Sequence, residues 1–386
     1  MNKVCTLVPG LEQQDDVFST AFSVLRQAIE QRAFPAASVA VTLQDRVVAL
    51  KSFGNFTYES ATEGTPSFSP TSREGGDSDF GIQPDTVFDL ASVTKVVATT
   101  TMAMILYERG LLHLDAPVVE VVPEFRDPLD ARRGNVTFRM LLAHSSGLPA
   151  YEKLFLKAHS REELLRAAFT TSLSADPGTR AEYSDIGFIV LGAALERLAD
   201  ESLSAFCQRE IFHPLAMIHT GFNPSPSLRR KIPPTADERT FRKKIIQGEV
   251  QDENAFVLGG VAGHAGLFAS AADLTRFAHS MIHGGRPILR AETIALFTRR
   301  ESAPSGTSRA VGWDTPSSPS QSGKYFGSGS FGHLGYTGTS LWIDPARQLS
   351  ITLLTNRTWP DCANQAIKQV RPKLHDAIVE ALTRPA

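Results

Sequence analysis

A serine and a lysine three positions apart, Ser92 and Lys95, form the first pair in this chain that could support covalent catalysis. On a helix, residues three apart lie on the same face, so the hydroxyl and the amine can meet. Lys95 is the only charged residue between Asp89 and Glu108, and a helix that is apolar on nearly all sides is buried. Burial lowers the pKa of a lysine, so Lys95 is a candidate general base for Ser92. The pattern also fits a core helix with a capping serine and a lysine that snorkels to solvent.

A second candidate group is Tyr183, in the sequence Glu182-Tyr183-Ser184-Asp185 just before a helix predicted to begin near Ile186. A tyrosine at a junction between loop and helix can point into a cleft, where a phenol of lowered pKa could relay protons. The alternative is structural: an aromatic staple, with Asp185 as the N-cap of the helix.

A third segment, Gly332-His333-Leu334-Gly335-Tyr336-Thr337-Gly338-Thr339-Ser340, places closely spaced glycines before a predicted strand. Glycine lets a substrate approach the backbone closely, although a glycine-rich strand edge and turn would explain the segment equally well. Two long stretches rich in Ser, Gly and Pro, residues 57–79 and 303–329, are predicted to be loops. We expect them to shape the mouth of the cleft, because the second leads directly into His333.

These segments need a scaffold, and the hydrophobic periodicity predicts one built from both ends of the chain. A helix is predicted over about 16–32, strands over 38–43, 47–53, 340–343 and 349–355, and a last helix over about 363–382. The middle of the chain is mainly helical, with a long apolar helix over 89–110 and further helices over 137–143, 161–169, 186–198 and 271–283.

The predicted fold class is therefore α+β. One antiparallel sheet is built from both termini and flanked by the terminal helices, and a mainly helical region is inserted into it. Residues 1–95 and 290–386 are assigned to the sheet domain and residues 96–289 to the helical domain. The active site is expected to lie between the two domains.

Taken in order, three short segments resemble the motifs of the serine β-lactamase and penicillin-binding-protein superfamily. Ser92-Val93-Thr94-Lys95 matches Ser-x-x-Lys, Tyr183-Ser184-Asp185 stands for Tyr-x-Asn, and His333-Leu334-Gly335 matches Lys/His-x-Gly. The chain looks most like the class C-like branch, with its family VIII-type carboxylesterases and D-amino-acid-type peptidases. Flanking segments extend the resemblance over roughly 36–356: residues 141–148, 260–268 and 341–345.

The resemblance implies a β-lactamase/transpeptidase-like fold and a role for each matching residue. Ser92 would be acylated, and Lys95 and Tyr183 would share the general-base and general-acid work. The backbone N–H groups of Ser92 and Tyr336 would form the oxyanion hole. Gly335 would bind or support the substrate.

Two further residues that would bind or support the substrate depart from the family pattern. Asp185 stands where Asn is usual, and an ionised carboxylate can only accept hydrogen bonds. By pairing with Lys95 it would favour the ammonium form, which would leave Tyr183 more of the base role. His333 stands where β-lactamases usually have Lys, and a neutral imidazole cannot hold a substrate carboxylate as a fixed cation does.

Both departures weaken recognition of β-lactams, which carry an amide and a carboxylate, and neither impairs hydrolysis of a simple ester. The preferred function is an acyl-serine esterase for small or medium esters. A β-lactamase or a D-amino-acid-type peptidase using the same site is the alternative. A non-catalytic binding protein that keeps the fold is a third possibility, against which the intact Ser92, Lys95 and Tyr183 speak. The sequence contains no Gly-x-Ser-x-Gly motif, which argues against an α/β-hydrolase fold.

The resemblance implies a small-molecule ester or amide as the partner, and composition argues against other classes of partner. The net charge is −2 without a run of Lys or Arg, which argues against nucleic acid and anionic membranes. Three cysteines make no disulfide framework and the N-terminus shows no signal peptide, so a cytoplasmic location is expected; a chain whose leader had been removed would look the same. No cofactor is expected. No metal site is predicted, because His279 and His283, four apart on a helix, have no evident third ligand.

Overall fold

The computed structural model describes residues 7–58 and 81–383, so most of the predicted loop at 57–79 lies outside the described residues. The strands are β1 (Val8–Pro9), β2 (Ala36–Leu43), β3 (Arg46–Gly54), β4 (Val87–Asp89), β5 (Gly221–Phe222), β6 (Ala236–Glu238), β7 (Lys244–Ile246), β8 (Leu267–Ser270), β9 (Phe331–Leu334), β10 (Ser340–Asp344) and β11 (Leu349–Thr355). The α-helices are α1 (Gln14–Val17), α2 (Ser19–Glu30), α3 (Thr101–Glu108), α4 (Phe138–Leu142), α5 (Arg161–Thr170), α6 (Asp185–Ala199), α7 (Leu203–Cys207), α8 (Pro226–Arg229), α9 (Glu253–Val257), α10 (Ala271–Ile282), α11 (Ala291–Thr298) and α12 (Ile367–Thr383). Across these ranges, no helix has both the length and the apolar character that a membrane span requires.

The main sheet combines strands from the two ends of the chain in the order β1-β3-β2-β11-β10-β9. Its neighbours are antiparallel, except that β1 runs parallel to β3. Smaller sheets are formed by β4-β8-β5 and by the pair β6-β7. The predicted α+β architecture, with an antiparallel sheet from both termini, is confirmed.

Both faces of the main sheet are covered, because alternate residues of its strands enter two different cores. Val39 and Val41 of β2 pack with residues of α2 and α12. Ala36 and Ala40 of the same strand face the larger core, which contains residues of α3, α6 and α10. The terminal helices therefore cover one face and helices from the middle of the chain cover the other, as in other layered α+β folds.

The segment predicted as a helix over 89–110 is helical from Ala91 to Glu108, but the type of helix changes along it. A 3₁₀ turn over Ala91–Val93 is followed by a π-helical segment over Lys95–Thr100 and then by α3. All residues from Val93 to Leu106 are buried, so no alternation of polar and apolar residues marks the change of helix type. π-helical turns are rare and occur frequently at functional sites.

Candidate active site

Ser92 is partly exposed in an otherwise buried turn that follows β4. Asp89 holds this turn: its Oδ1 accepts a hydrogen bond from the N–H of Ala91 and its Oδ2 accepts one from the N–H of Gln251, both at 2.8 Å. Ala91 has a φ of +46°, in the left-handed region that residues with a Cβ seldom adopt. Such strain persists where the surrounding structure enforces it, and it is common at active sites.

The amine of Lys95 lies at the centre of the site and is fully buried, as the sequence indicated. Its Nζ donates to Ser92 Oγ at 3.1 Å, to Asp185 Oδ1 at 2.6 Å and to the carbonyl oxygen of His264 at 3.0 Å. Burial lowers the pKa of Lys95, and the Asp185 carboxylate opposes this shift without reversing it. Lys95 is therefore more easily deprotonated than an exposed lysine.

Tyr183 also contacts Ser92, and its Oη donates to Ser92 Oγ at 2.7 Å. Burial, followed by the negative charge of Asp185, raises the pKa of Tyr183 well above its ordinary value. The phenol is therefore neutral in the resting protein. This argues against our expectation that Tyr183 takes the serine proton more readily than Lys95, and it suits Tyr183 to a proton donor's role.

The helix that follows Tyr183 is capped by Ser184 and not by Asp185. Ser184 Oγ accepts a hydrogen bond from the N–H of Gly187 at 3.0 Å, as N-cap residues do. Asp185 is the first residue of α6 and points instead to Lys95. The structural alternative, in which Asp185 caps the helix, is therefore wrong by one residue. With Ser184 as the cap, the Asp185 carboxylate is free to pair with the buried amine.

His144 supports Tyr183 and was not among the predicted site residues. Its ring centroid lies 4.7 Å from that of Tyr183, and its Nδ1 accepts a hydrogen bond from the N–H of Ser184 at 3.0 Å. Its carbonyl oxygen also accepts from the N–H of Glu182 at 2.8 Å. Burial lowers the pKa of His144 well below its ordinary value, so its ring is neutral. The one signal in the sequence was that segment 141–148 resembles the superfamily, but this resemblance assigned no role to His144.

The glycine-rich segment 260–268 brings a backbone carbonyl to Lys95. A Cβ on Gly263 would lie 2.1 Å from the carbonyl oxygen of Phe188, so only glycine allows this approach to α6. The approach places the carbonyl of His264 beside the buried amine. The His264 ring is itself buried, with its Nε2 2.7 Å from Asp252 Oδ1.

The turn between β9 and β10 is fixed directly against the turn that carries Ser92. The hydroxyls of Thr337 and Thr339 donate to the carbonyls of the two residues before Ala91, at 2.7 and 2.9 Å. From the other side, the buried Arg371 donates to the carbonyls of Gly335 and Thr339, both at 2.7 Å. Sequence reasoning missed Arg371, because it lies far along the chain on α12.

Tyr336 lies on this turn, and its side chain is half exposed. Its carbonyl accepts a hydrogen bond from Arg357 Nε at 2.7 Å, and the Arg357 guanidinium lies 4.4 Å from its ring centroid. The N–H groups of Tyr336 and Ser92 are the two donors that the resemblance assigns to the oxyanion hole. Their elements are held together by the hydrogen bonds described above, which is the preorganisation that an oxyanion hole requires.

His333, at the end of β9, is buried and uncharged. Its Nδ1 lies 2.8 Å from the carbonyl oxygen of Leu334, and its ring centroid lies 6.1 Å from that of Tyr183. Burial and the positive charges of Lys95 and Arg309 lower the pKa of His333 well below its ordinary value. His333 is therefore close to the reacting groups but supplies no positive charge.

Arg309 brings a positive charge beside Tyr183, and sequence reasoning missed it. Its Cζ lies 5.5 Å from the Tyr183 ring centroid, and its Nη1 lies 3.4 Å from Asp314 Oδ2. It belongs to the predicted loop over 303–329, whose conformation no periodic pattern specifies. A cation beside Tyr183 can attract an anionic group of a bound ligand.

We expect Gly335→Ala to lower kcat/KM for a chromogenic ester by about 10²-fold or more, because small displacements of catalytic groups are costly. A Cβ at this position would lie 1.9 Å from Thr339 Oγ1 and 2.5 Å from the carbonyl oxygen of Leu90, so the turn must move away from Ser92. Gly329→Ala is the matched control, since a Cβ there would meet nothing within 4 Å. Parent-like kinetics in Gly335→Ala would contradict the required close approach.

Comparisons with known proteins agree with the ordered motifs. A model of the family described as "Beta-lactamase" matches residues 22–372. The N-acetylmuramyl-L-alanine amidase of Bacillus subtilis (strain 168) is 32% identical over 359 residues, which cover 84% of this chain and 77% of that protein. A putative D-alanyl-D-alanine carboxypeptidase of Escherichia coli (strain K12) is 32% identical over 304 residues, covering 70% of this chain and 69% of that protein.

Solved structures share the fold at low sequence identity. The hydrolase EstCE1, described as having promiscuous acyltransferase activity, superposes with a TM-score of 0.72 at 21% identity, covering 95% of this chain and 99% of that one. A penicillin-binding protein homologue from Caulobacter crescentus superposes with a TM-score of 0.70 at 19% identity, covering 95% of this chain and 98% of that one. With the family match over most of its length and a serine, lysine and tyrosine in hydrogen-bonding contact, this chain belongs to the beta-lactamase family of serine hydrolases.

Proposed function

We propose that the protein is an esterase that hydrolyses esters of small or medium acyl groups through an acyl-enzyme on Ser92. The observation that carries the proposal is the neutral His333, buried beside Tyr183 at the position where β-lactamases usually have a lysine. A site with a nucleophile but no cation at that position favours an uncharged substrate. The proposed catalytic residues are Ser92, Lys95 and Tyr183.

In the proposed acylation step, Lys95 acts in its neutral form, with its lone pair turned toward Ser92. It accepts the Ser92 proton while Ser92 Oγ attacks the acyl carbon of the ester. The N–H groups of Ser92 and Tyr336 bind the negative oxygen that forms, and each such donor contributes about 3 kcal/mol. As the bond to the alcohol breaks, the neutral phenol of Tyr183 protonates the leaving oxygen. The Lys95 ammonium then returns a proton to Tyr183.

Deacylation uses the same groups on water. Lys95 takes a proton from the attacking water, and the resulting tetrahedral intermediate is bound by the same two N–H groups. When the bond between the acyl carbon and Ser92 Oγ breaks, Ser92 recovers the proton from Lys95. The carboxylic acid is released and the site returns to its starting protonation state.

A second candidate is hydrolysis of an amide bond in a D-amino-acid peptide, and Arg309 is the observation that favours it. Its guanidinium lies beside Tyr183 and could hold a terminal carboxylate in place of the missing lysine. The two relatives at 32% identity are named as an amidase and a putative D-alanyl-D-alanine carboxypeptidase. As for location, Cys207 is buried and Cys362 is partly exposed, and both are free thiols, which fits the proposed reducing, cytoplasmic environment.

A depsipeptide ending in D-alanyl-D-lactate and its methyl ester separate the two candidates when cleavage is followed at the ester bond of the D-alanyl carbonyl. At that bond the two substrates differ in whether the terminal carboxylate carries a charge. We expect kcat/KM for the methyl ester to equal or exceed that for the free acid, since His333 supplies no charge. The same assay on a chromogenic cephalosporin is expected to give little turnover. A preference of about tenfold or more for the free acid would support the peptidase and overturn the esterase proposal.

Arg309→Gln provides the structural control for this comparison. If the enzyme prefers the free acid because of Arg309, the substitution removes that preference and leaves kcat/KM for the methyl ester within about threefold of the parent. If the substitution lowers kcat/KM equally for both substrates, Arg309 supports Tyr183 and does not select the substrate.

A further inference from the structure

We propose that Asp45, His279 and His283 bind a divalent transition-metal ion such as Zn²⁺, at the end of the main sheet remote from Ser92. One ligand atom from each of the three side chains lies within 4.8 Å of the others. Two imidazoles and a carboxylate are a donor set that Zn²⁺ accepts, with water in the fourth position. Sequence reasoning found the two histidines but no third ligand; the fold supplies it from the turn between β2 and β3.

The two histidines are held on a rigid element. His279 lies in the last turn of α10 and His283 follows one turn later, so both rings point the same way, with centroids 4.2 Å apart. The helix end is fixed by a hydrogen bond from the N–H of His283 to the carbonyl of His279 at 3.0 Å, and by one from Gly285 to Ser280 at 2.7 Å. The backbone that carries the two rings is therefore fixed before any ion arrives, and side-chain rotation alone can bring the ligand atoms to the spacing that an ion needs.

The carboxylate of Asp45 completes the arrangement. Its Oδ1 lies 3.0 Å from His283 Nε2, and both atoms are shielded from solvent while making no hydrogen bond of acceptable geometry. Ligand atoms at tetrahedral zinc, with bonds near 2.0–2.1 Å, lie about 3.3 Å from one another, so this pair already has a suitable spacing. His279 is buried, whereas the side chains of Asp45 and His283 are partly exposed. An ion therefore has a path of entry from solvent.

The register of the sheet places this cluster far from the catalytic groups. At one end of the sheet, Ser340 pairs with both Leu334 and Leu353, next to the turn that touches Ser92. The pairs Leu43 with Leu349 and Leu43 with Arg46 lie at the other end, two residues from Asp45. At about 3.3 Å per residue, the ends of β2 are roughly 23 Å apart. The ion would therefore stabilise the contact between the C-terminal end of α10 and the β2–β3 turn, and it would take no part in hydrolysis.

The test adds Zn²⁺ or Co²⁺ to the full chain after dialysis against a chelator. We expect Zn²⁺ at about 100 times its Kd to raise Tm by about 3 °C, and Co²⁺ to give the visible absorption of a tetrahedral site. Asp45→Asn and His283→Gln, both at partly exposed positions, are expected to abolish the two signals. His213→Gln, which changes an exposed histidine elsewhere, should keep them.

Ester hydrolysis is measured in parallel and is expected to be unaltered by either ion or by either substitution. Absence of a Tm rise and of Co²⁺ absorption in the parent would overturn the proposal and leave Asp45 and His283 as a side-chain contact without a metal. Equal signals in the parent and in both variants would overturn it as well, because the ion would then bind elsewhere.

Discussion

Replacing Ser92 with alanine is expected to lower kcat/KM for a chromogenic short-chain ester by at least about 10⁴-fold, as loss of the nucleophile does in other serine hydrolases. The substitution removes the one oxygen to which both Lys95 and Tyr183 donate. Lys95 keeps its bonds to Asp185 and to the carbonyl of His264, so the fold should persist. Steady-state kinetics and the Tm of the purified variant measure the two effects separately.

Ser227→Ala is the matched control for this result, because Ser227 is exposed on α8 and its Oγ is hydrogen-bonded to Ser225. A fluorophosphonate probe supplies an independent measurement. It should label Ser92 in the parent and in Ser227→Ala, and label nothing in Ser92→Ala. If Ser92→Ala turned over the ester at the parental rate, or if the probe labelled another serine, the assignment of the nucleophile would be wrong.

The sequence predicted the parts of the site that follow from local periodicity. Lys95 stands alone among apolar residues, and this isolation indicated its complete burial. The β2–β3 hairpin and strand β11 lie where alternating apolar residues placed them, and β11 ends at Thr355 as predicted. Strand β9 was not predicted, because Gly332 and its neighbours read as a turn; its pairing with β10 makes it a strand.

The groups that orient the site come from long-range packing, which periodicity does not encode. His144 reaches Tyr183 from the end of α4, and Arg371 reaches the turn at Gly335 from α12. Asp45 approaches His283 across most of the chain length. Nothing in the local sequence around these three residues indicates a contact with a distant segment, so the contacts become visible only in the fold.

Asp185 affects the pKa values of both Lys95 and Tyr183, and its position in the sequence did not show which of the two would act as the base. From the sequence, its charge was expected to keep Lys95 protonated and to shift the base role to Tyr183. In the fold the same carboxylate also lies near Tyr183, where its charge raises the pKa of the phenol. Burial meanwhile lowers the pKa of Lys95 despite the ion pair. Both shifts favour Lys95 as the base and Tyr183 as the acid.

This division of labour predicts that two variants respond differently to the leaving group. Lys95→Met should lower kcat/KM by about 10²–10⁴-fold for an ethyl ester and for a p-nitrophenyl ester alike, because both need the Ser92 proton removed. Tyr183→Phe should slow the ethyl ester by a similar factor. It should slow the p-nitrophenyl ester by only about tenfold, since p-nitrophenolate leaves without a proton. Kinetics with both esters at one pH measure the difference.

Lys95→Met also leaves the Asp185 carboxylate without its cation, and breaking a buried pair in this way costs about 3–5 kcal/mol. The double variant with Asp185→Asn removes the orphaned charge, so it should recover Tm but not activity. Activity regained together with Tm would mean that Lys95 acts through stability. An equal loss on both esters in Tyr183→Phe would instead make Tyr183 the group that receives the proton of Ser92, because only the base is needed for every leaving group.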